Sequence, residues 1–132
     1  MNMNYSKKVM KHFLKPKYAG IIKDADAVGI VENDKCGDVM KIYLKVKDSK
    51  IKDIKFQTLG CPAAIAASDV LCQLVNGKTL KQAEKVNEKI ITEKLDGLPA
   101  VKIHCSVLGA RTLRDAIEKY RKKDKITSQI KN

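Results

Sequence analysis

Hydrophobic and polar positions along this chain change period partway through, and the change separates a strand region from a helical one. From Val39 to Lys47 the alternation is strict: Met40, Ile42, Leu44 and Val46 fall on one side, Lys41, Tyr43, Lys45 and Lys47 on the other. A repeat of two residues marks a strand with one buried face. Val28 to Glu32 is a short apolar run before it, and Ile54 and Phe56 resume the alternation after the polar break Asp48-Ser49-Lys50. Three strands joined by short turns predict an antiparallel meander.

Past Gly60 the period becomes helical. Ala64, Ile65, Ser68, Leu71, Cys72 and Val75 recur at spacings of three and four, the stripe of an amphipathic helix. Pro62 suits its first position and Gly77 its stop. Thr79 to Gln82 has the form of a capping box and opens a second helix. A third covers Asn87 to Leu95, ended by Gly97 and Pro99. The last runs from about His104 to Lys123, with Val107, Ala110, Leu113, Ile117 and Tyr120 on its inner face. Ahead of the strands, residues 1–20 read as a mobile lead-in, in which Val9, Phe13 and Leu14 make a short amphipathic turn closed by Pro16. Residues 124–132 read as a frayed polar tail. The expected fold is α+β: a small three-stranded antiparallel sheet with helices packed on one face and a long C-terminal helix. Residues 1–132 form a single domain.

Composition changes this picture little. The 132 residues are 44% hydrophobic and 32% charged, ordinary for a chain that buries one core. No apolar run approaches the roughly 20 residues of a membrane span. Met1 to Lys8 lacks the apolar centre of a secretory signal, so a cytoplasmic location and reduced thiols are expected. The net charge of +12 raises the question of nucleic acid. The lysines are spread through every segment, no aromatic residues are interleaved with them, and Trp is absent, so a stacking surface for single strands is missing. A solvated lysine-rich surface is the expectation, with an acidic protein partner next and with neither nucleic acid nor membrane as partner.

The cysteines change more. Cys36, Cys61, Cys72 and Cys105 contain no C-x-x-C pair, which argues against zinc ribbons and thioredoxin-like motifs. Any site they make is assembled from distant segments. Cys36-Gly37-Asp38 lies in the turn between the first two strands, Cys61 precedes a helix between Gly60 and Pro62, and His104-Cys105 opens the last helix. Helix N-termini favour thiolate, the form that binds metal or accepts sulfur. Three thiolates, an imidazole and a carboxylate suit zinc or iron–sulfur chemistry. Against this stands the ordinary fate of a cysteine, a small buried hydrophobe. That reading wins for Cys72, which lies ~16 Å along the helix from Cys61. It is weak for Cys36 at a turn tip and an even match for Cys61 and Cys105. Asp38 also reads as a turn residue, His104 as a structural histidine, and His12 as a surface residue.

Together these strings look familiar. Cys36-Gly37-Asp38-Val39-Met40-Lys41, Leu59-Gly60-Cys61 leading into a small-residue helix, and Leu98-Pro99-Ala100-Val101-Lys102-Ile103-His104-Cys105-Ser106 resemble the U-type iron–sulfur scaffold family (IscU and the N-terminal domain of NifU). Tyr5-Ser6, Val9, His12-Phe13, Pro16 and Gly20 match that family's opening. The resemblance implies a scaffold and carrier, not an enzyme. It would build a labile [2Fe–2S] cluster, in some settings [4Fe–4S], from iron and from sulfur delivered by a cysteine desulfurase, and pass it to apo-proteins. By the same match, Cys36, Cys61 and Cys105 are ligands and sulfur acceptors, His104 or Asp38 fills the remaining position, and Zn2+ occupies the site without a cluster. A monomer or a cluster-bridged dimer is expected. Ala100 stands where the bacterial chaperone-recognition segment reads Leu-Pro-Pro-Val-Lys, so a dedicated chaperone is doubtful. Pro62 stands where glycine is common after the second cysteine. The main alternative is a zinc-bound persulfide acceptor of a desulfurase. A structural zinc protein that binds nucleic acid stands further off, and a zinc hydrolase lacks its H-E-x-x-H helix.

Overall fold

The computed structural model describes residues 4–33 and 37–130, the last seven of these by backbone alone. The elements are α1 (Lys7–Leu14), β1 (Ala27–Glu32), β2 (Val39–Lys47), β3 (Lys50–Leu59), α2 (Pro62–Val75), α3 (Leu80–Glu84), α4 (Glu88–Lys94), a 3-10 turn (Ala100–Lys102) and α5 (His104–Ile130). The architecture is the α+β one the pattern predicts. The sheet runs β1-β2-β3, antiparallel throughout. Asp48 and Ser49, with φ of 54° and 62°, join β2 to β3 where Lys47 pairs with Lys50. Two left-handed residues in a two-residue loop match the right-handed twist of the strands they join.

One face of the sheet carries Met40, Ile42, Leu44, Ile54 and Phe56, all buried, and helices α2 and α5 cover it. Helix α5 comes close to β1 at Gly29. A Cβ there would stand 2.3 Å from the Thr112 carbonyl oxygen and 2.7 Å from the Ala116 nitrogen. Only a residue without a side chain lets the helix press onto the strand at that point. The inner face of α5 loses one expected residue and gains three. Ala110, Leu113 and Ile117 are buried, joined by Leu108, Thr112 and Ala116, whereas Val107 is 37% exposed. The wall against β1 is built from the small residues of α5, and Val107 lies on the side turned away from it. The helix also continues to Ile130, past the expected end at Lys123.

Helix α2 departs from the one-sided stripe. Ala63, Ala66, Ala67, Asp69 and Val70 are buried as well as the stripe residues other than the half-buried Ile65, because α1 packs across its outer side with Val9 fully buried. Residues before the sheet are tied to this helix and to the sheet edge. His12 Nδ1 lies 2.6 Å from Asp69 Oδ2, and the Tyr18 amide donates to Asp69 Oδ1 at 2.9 Å. Gly20 N–H donates to the Phe56 carbonyl, and Phe56 N–H to the Tyr18 carbonyl. His12 is therefore not the surface residue the sequence suggested: its side chain is only 17% exposed. A carboxylate buried inside the helix layer needs a partner, and only a folded lead-in brings His12 and the Tyr18 amide to it.

Candidate metal centre

Three separate chain segments converge at one end of the molecule. The first is the turn before β2. Asn33 N–H donates to the Asp38 carbonyl and Gly37 N–H to the Asn33 carbonyl, both at 2.8 Å. Gly37, at φ +72°, takes the left-handed conformation this tight reversal demands. Asp38 is left buried, 7% exposed, at the start of β2. Cys36 lies outside the described residues.

The second segment is the junction of β3 and α2. Cys61 occupies the N-cap of α2 with Pro62 in the first turn, an arrangement proline favours because that turn has no use for its amide hydrogen. Gly60 makes the close approach possible. A Cβ on it would stand 2.9 Å from both Cγ and Oδ1 of Asp38, so a side chain there would push the carboxylate away. The third segment is the start of α5, where Cys105 is buried and His104 is half-buried beside it.

The donor atoms of Asp38, Cys61 and Cys105 all lie within 4.8 Å of one another. The two sulfurs are 3.8 Å apart, and His104 Nε2 is 3.7 Å from the Cys105 sulfur. Of the five residues singled out from sequence, Asp38, Cys61 and Cys105 meet, His104 reaches the Cys105 sulfur, and Cys36 is outside the described residues. Cys72 is fully buried in the last turn of α2, far from this end, as its spacing required.

Electrostatics divide the two thiols. The Cys61 thiol is pulled down to about 5, first by the hydrogen bond from Cys105, against burial, and then by the Ala64 and Ala63 amides and the Lys102 charge. The sulfur makes no regular N-cap hydrogen bond, yet the first-turn amides still favour its charged form. Cys105 is pushed up, because its proton is the one shared with Cys61, and burial and the nearby charges of Cys61 and Asp38 add to the effect. The pair holds one proton between two sulfurs, the usual outcome for like groups in contact. Burial pushes Cys72 far up as well, which leaves it an inert thiol.

Two residues of the site were missed as chemistry in the sequence. Lys102 is held above its ordinary value chiefly by the Cys61 charge, with Tyr5 and Cys105 contributing. Tyr5, raised mainly by burial, feels Cys61, Lys102 and Cys105. A lysine two residues before the His-Cys pair was a legible signal, since a cation beside a thiolate stabilises it. Tyr5 gave none, because its place depends on α1 folding back over α2.

The sequence pattern of the NifU-like N-terminal domain matches residues 4–127. A protein named iron–sulfur cluster assembly scaffold protein IscU 1 in Archaeoglobus fulgidus is 50% identical over 127 residues, spanning 96% of this chain and 83% of that one. The scaffold protein IscU of Aquifex aeolicus is 43% identical over 122 residues, spanning 91% and 78%. Among solved structures, one from Fervidobacterium islandicum is described as a candidate iron–sulfur cluster assembly scaffold for the SUF system. It superposes with a TM-score of 0.71 at 28% identity, over 86% of this chain and 96% of that one. A NifU-like N-terminal structure from Brucella abortus shares the fold, with a TM-score of 0.70 at 20% identity over 89% and 94%.

Proposed function

This chain belongs to the NifU-like N-terminal domain family, and on that premise we propose that it is an iron–sulfur cluster assembly scaffold. It acts as a carrier rather than a catalyst. Its cargo is iron and desulfurase-derived sulfur, joined on the protein as a labile [2Fe–2S] cluster and then passed to apo-proteins. The observation that carries the reading is the meeting of Asp38, Cys61 and Cys105 within 4.8 Å, with His104 alongside.

The donor set explains why such cargo would be held and also released. Thiolate sulfur is the natural ligand of iron–sulfur clusters, and Cys61 is a thiolate at neutral pH. It is also half-exposed, so an incoming persulfide can reach it. Asp38 offers hard carboxylate oxygen, a weaker partner for such iron than a further thiolate. A site with mixed donors binds less firmly than four cysteines would, which a donor requires. Cys36, two residues before Asp38 in sequence, supplies the third thiolate in this reading, and His104 the alternative to Asp38. The same groups suit a tetrahedral zinc ion when no cluster is present. The Lys102 ammonium offsets part of the negative charge that accumulates as thiolates gather.

Anaerobic reconstitution with ferrous iron, cysteine and a cysteine desulfurase tests the proposal. Visible charge-transfer bands, with iron and sulfide near stoichiometric and fading on addition of an apo-ferredoxin, are the expected result. A colourless product carrying one tightly held zinc ion would replace the scaffold with a zinc-bound persulfide acceptor.

A further inference from the structure

Two sulfurs 3.8 Å apart at the end of a molecule are also the two halves of a disulfide. We infer that Cys61 and Cys105 form a reversible intramolecular disulfide, a redox modification site that closes the candidate metal centre under oxidising conditions. A bonded pair stands about 2.0 Å apart, so the sulfurs close by roughly 1.8 Å. Cys61 lies outside the regular turns of α2, in extended backbone at φ −77° and ψ 170° and directly after Gly60. That segment adjusts more readily than a helix interior.

Burial sets the order of events. Cys105 is 0% exposed, whereas Cys61 is half-exposed, so a low-molecular-weight disulfide reaches Cys61 first. The Cys61 sulfur attacks one sulfur of that oxidant, forming a mixed disulfide and releasing one thiolate. Cys105 then attacks the Cys61 sulfur, displaces the second small thiol, and its proton leaves with that thiol. Two protein thiols are oxidised and one small disulfide is reduced to two thiols. Cys72, fully buried, has no place in the exchange. Metal on both sulfurs blocks the reaction, so only an empty centre is oxidised; this last consequence rests on the scaffold reading.

The test uses the full chain, stripped of metal with a chelator and incubated anaerobically with glutathione disulfide, followed by peptide mapping. A cross-linked pair containing Cys61 and Cys105, formed with the loss of two hydrogens and undone by dithiothreitol, is expected. The Cys36→Ala variant should give the same pair, and Cys105→Ser should stop at glutathione-bearing Cys61. Linkage through Cys36, a lasting glutathione adduct on the unmutated chain, interchain linkage or no thiol loss each overturns the inference. Zinc uptake by the reduced and oxidised protein is measured in parallel. A disulfide that forms in a protein with no metal affinity would leave the switch standing and remove the scaffold; metal binding without a disulfide would do the reverse.

Discussion

The two ends of the same short stretch of α2 hold cysteines with opposite character. Cys61, at the N-cap, is half-exposed and lowered to about 5. Cys72, in the last turns, is fully buried and raised well above its ordinary value. Nothing in the side chain differs. At the N-terminus the sulfur has a second thiol to donate to it, amides directed at it and a lysine nearby. Along the helix it has apolar packing and the charge of Asp69. The contrast is set first by the thiol that donates to Cys61 and by the burial of Cys72, with the first-turn amides adding to it.

The sharpest way to break the contrast is to delete each sulfur. Cys61→Ala or Cys105→Ala should abolish stable cluster assembly, read as the visible absorbance after reconstitution, and Cys36→Ala is expected to do the same. Cys72→Ala should leave assembly intact and cost about 1 kcal/mol of stability from the lost buried sulfur. Full colour in any of the first three variants would remove that residue from the ligand set.

Asp38→Ala acts on release rather than assembly. Cluster loss to a chelator should slow on the order of tenfold, the size of effect that tuning a metal's surroundings commonly has. Unchanged release kinetics would sink the role of the carboxylate. Gly60→Ala is a subtler probe, because it keeps every ligand and displaces Asp38 while crowding Ala64. Overpacking there should cost about 1–3 kcal/mol in thermal unfolding and weaken zinc binding along with it. Unaltered melting and zinc affinity would mean that the turn yields without cost.

The smallest effect concerns protons. Cys61 has a lowered pKa, so its thiolate is present above about 5 and is lost as pH falls through that value. Alkylation of the metal-free protein by iodoacetamide at Cys61 should therefore rise with pH to a midpoint of about 5 and be flat by neutrality. Speed is a poor guide, since a less basic thiolate is also intrinsically less nucleophilic. A midpoint near the free-cysteine value of about 8.5 would erase the distinction between the two ends of α2.

Much of this was legible in the residues. The alternation at Met40, Ile42 and Leu44 marked β2 and its buried face, and Pro62 and Gly77 bracketed α2. The turn at Gly37-Asp38 and the junction at Gly60-Cys61 were readable as places where ligands project, because glycine and proline punctuate a chain locally. His12 was not readable. Its partner Asp69 lies 57 residues away, and nothing near His12 indicates that a buried carboxylate waits for it. Tyr5 escaped for the same reason, whereas Lys102, two residues before His104, was legible and overlooked.

The sequence by itself determined the strands, most of the helices and which side chains are able to bind metal, but not the end of α5, which runs on to Ile130. Those properties follow from the periodicity and turn chemistry of neighbouring residues. Only the tertiary structure decided that Asp38, Cys61 and Cys105 meet, that the shared proton rests on Cys105, and that α1 buries the outer side of α2. Distances between segments and the loss of water around them arise when separate elements pack, and local spacing carries no record of either.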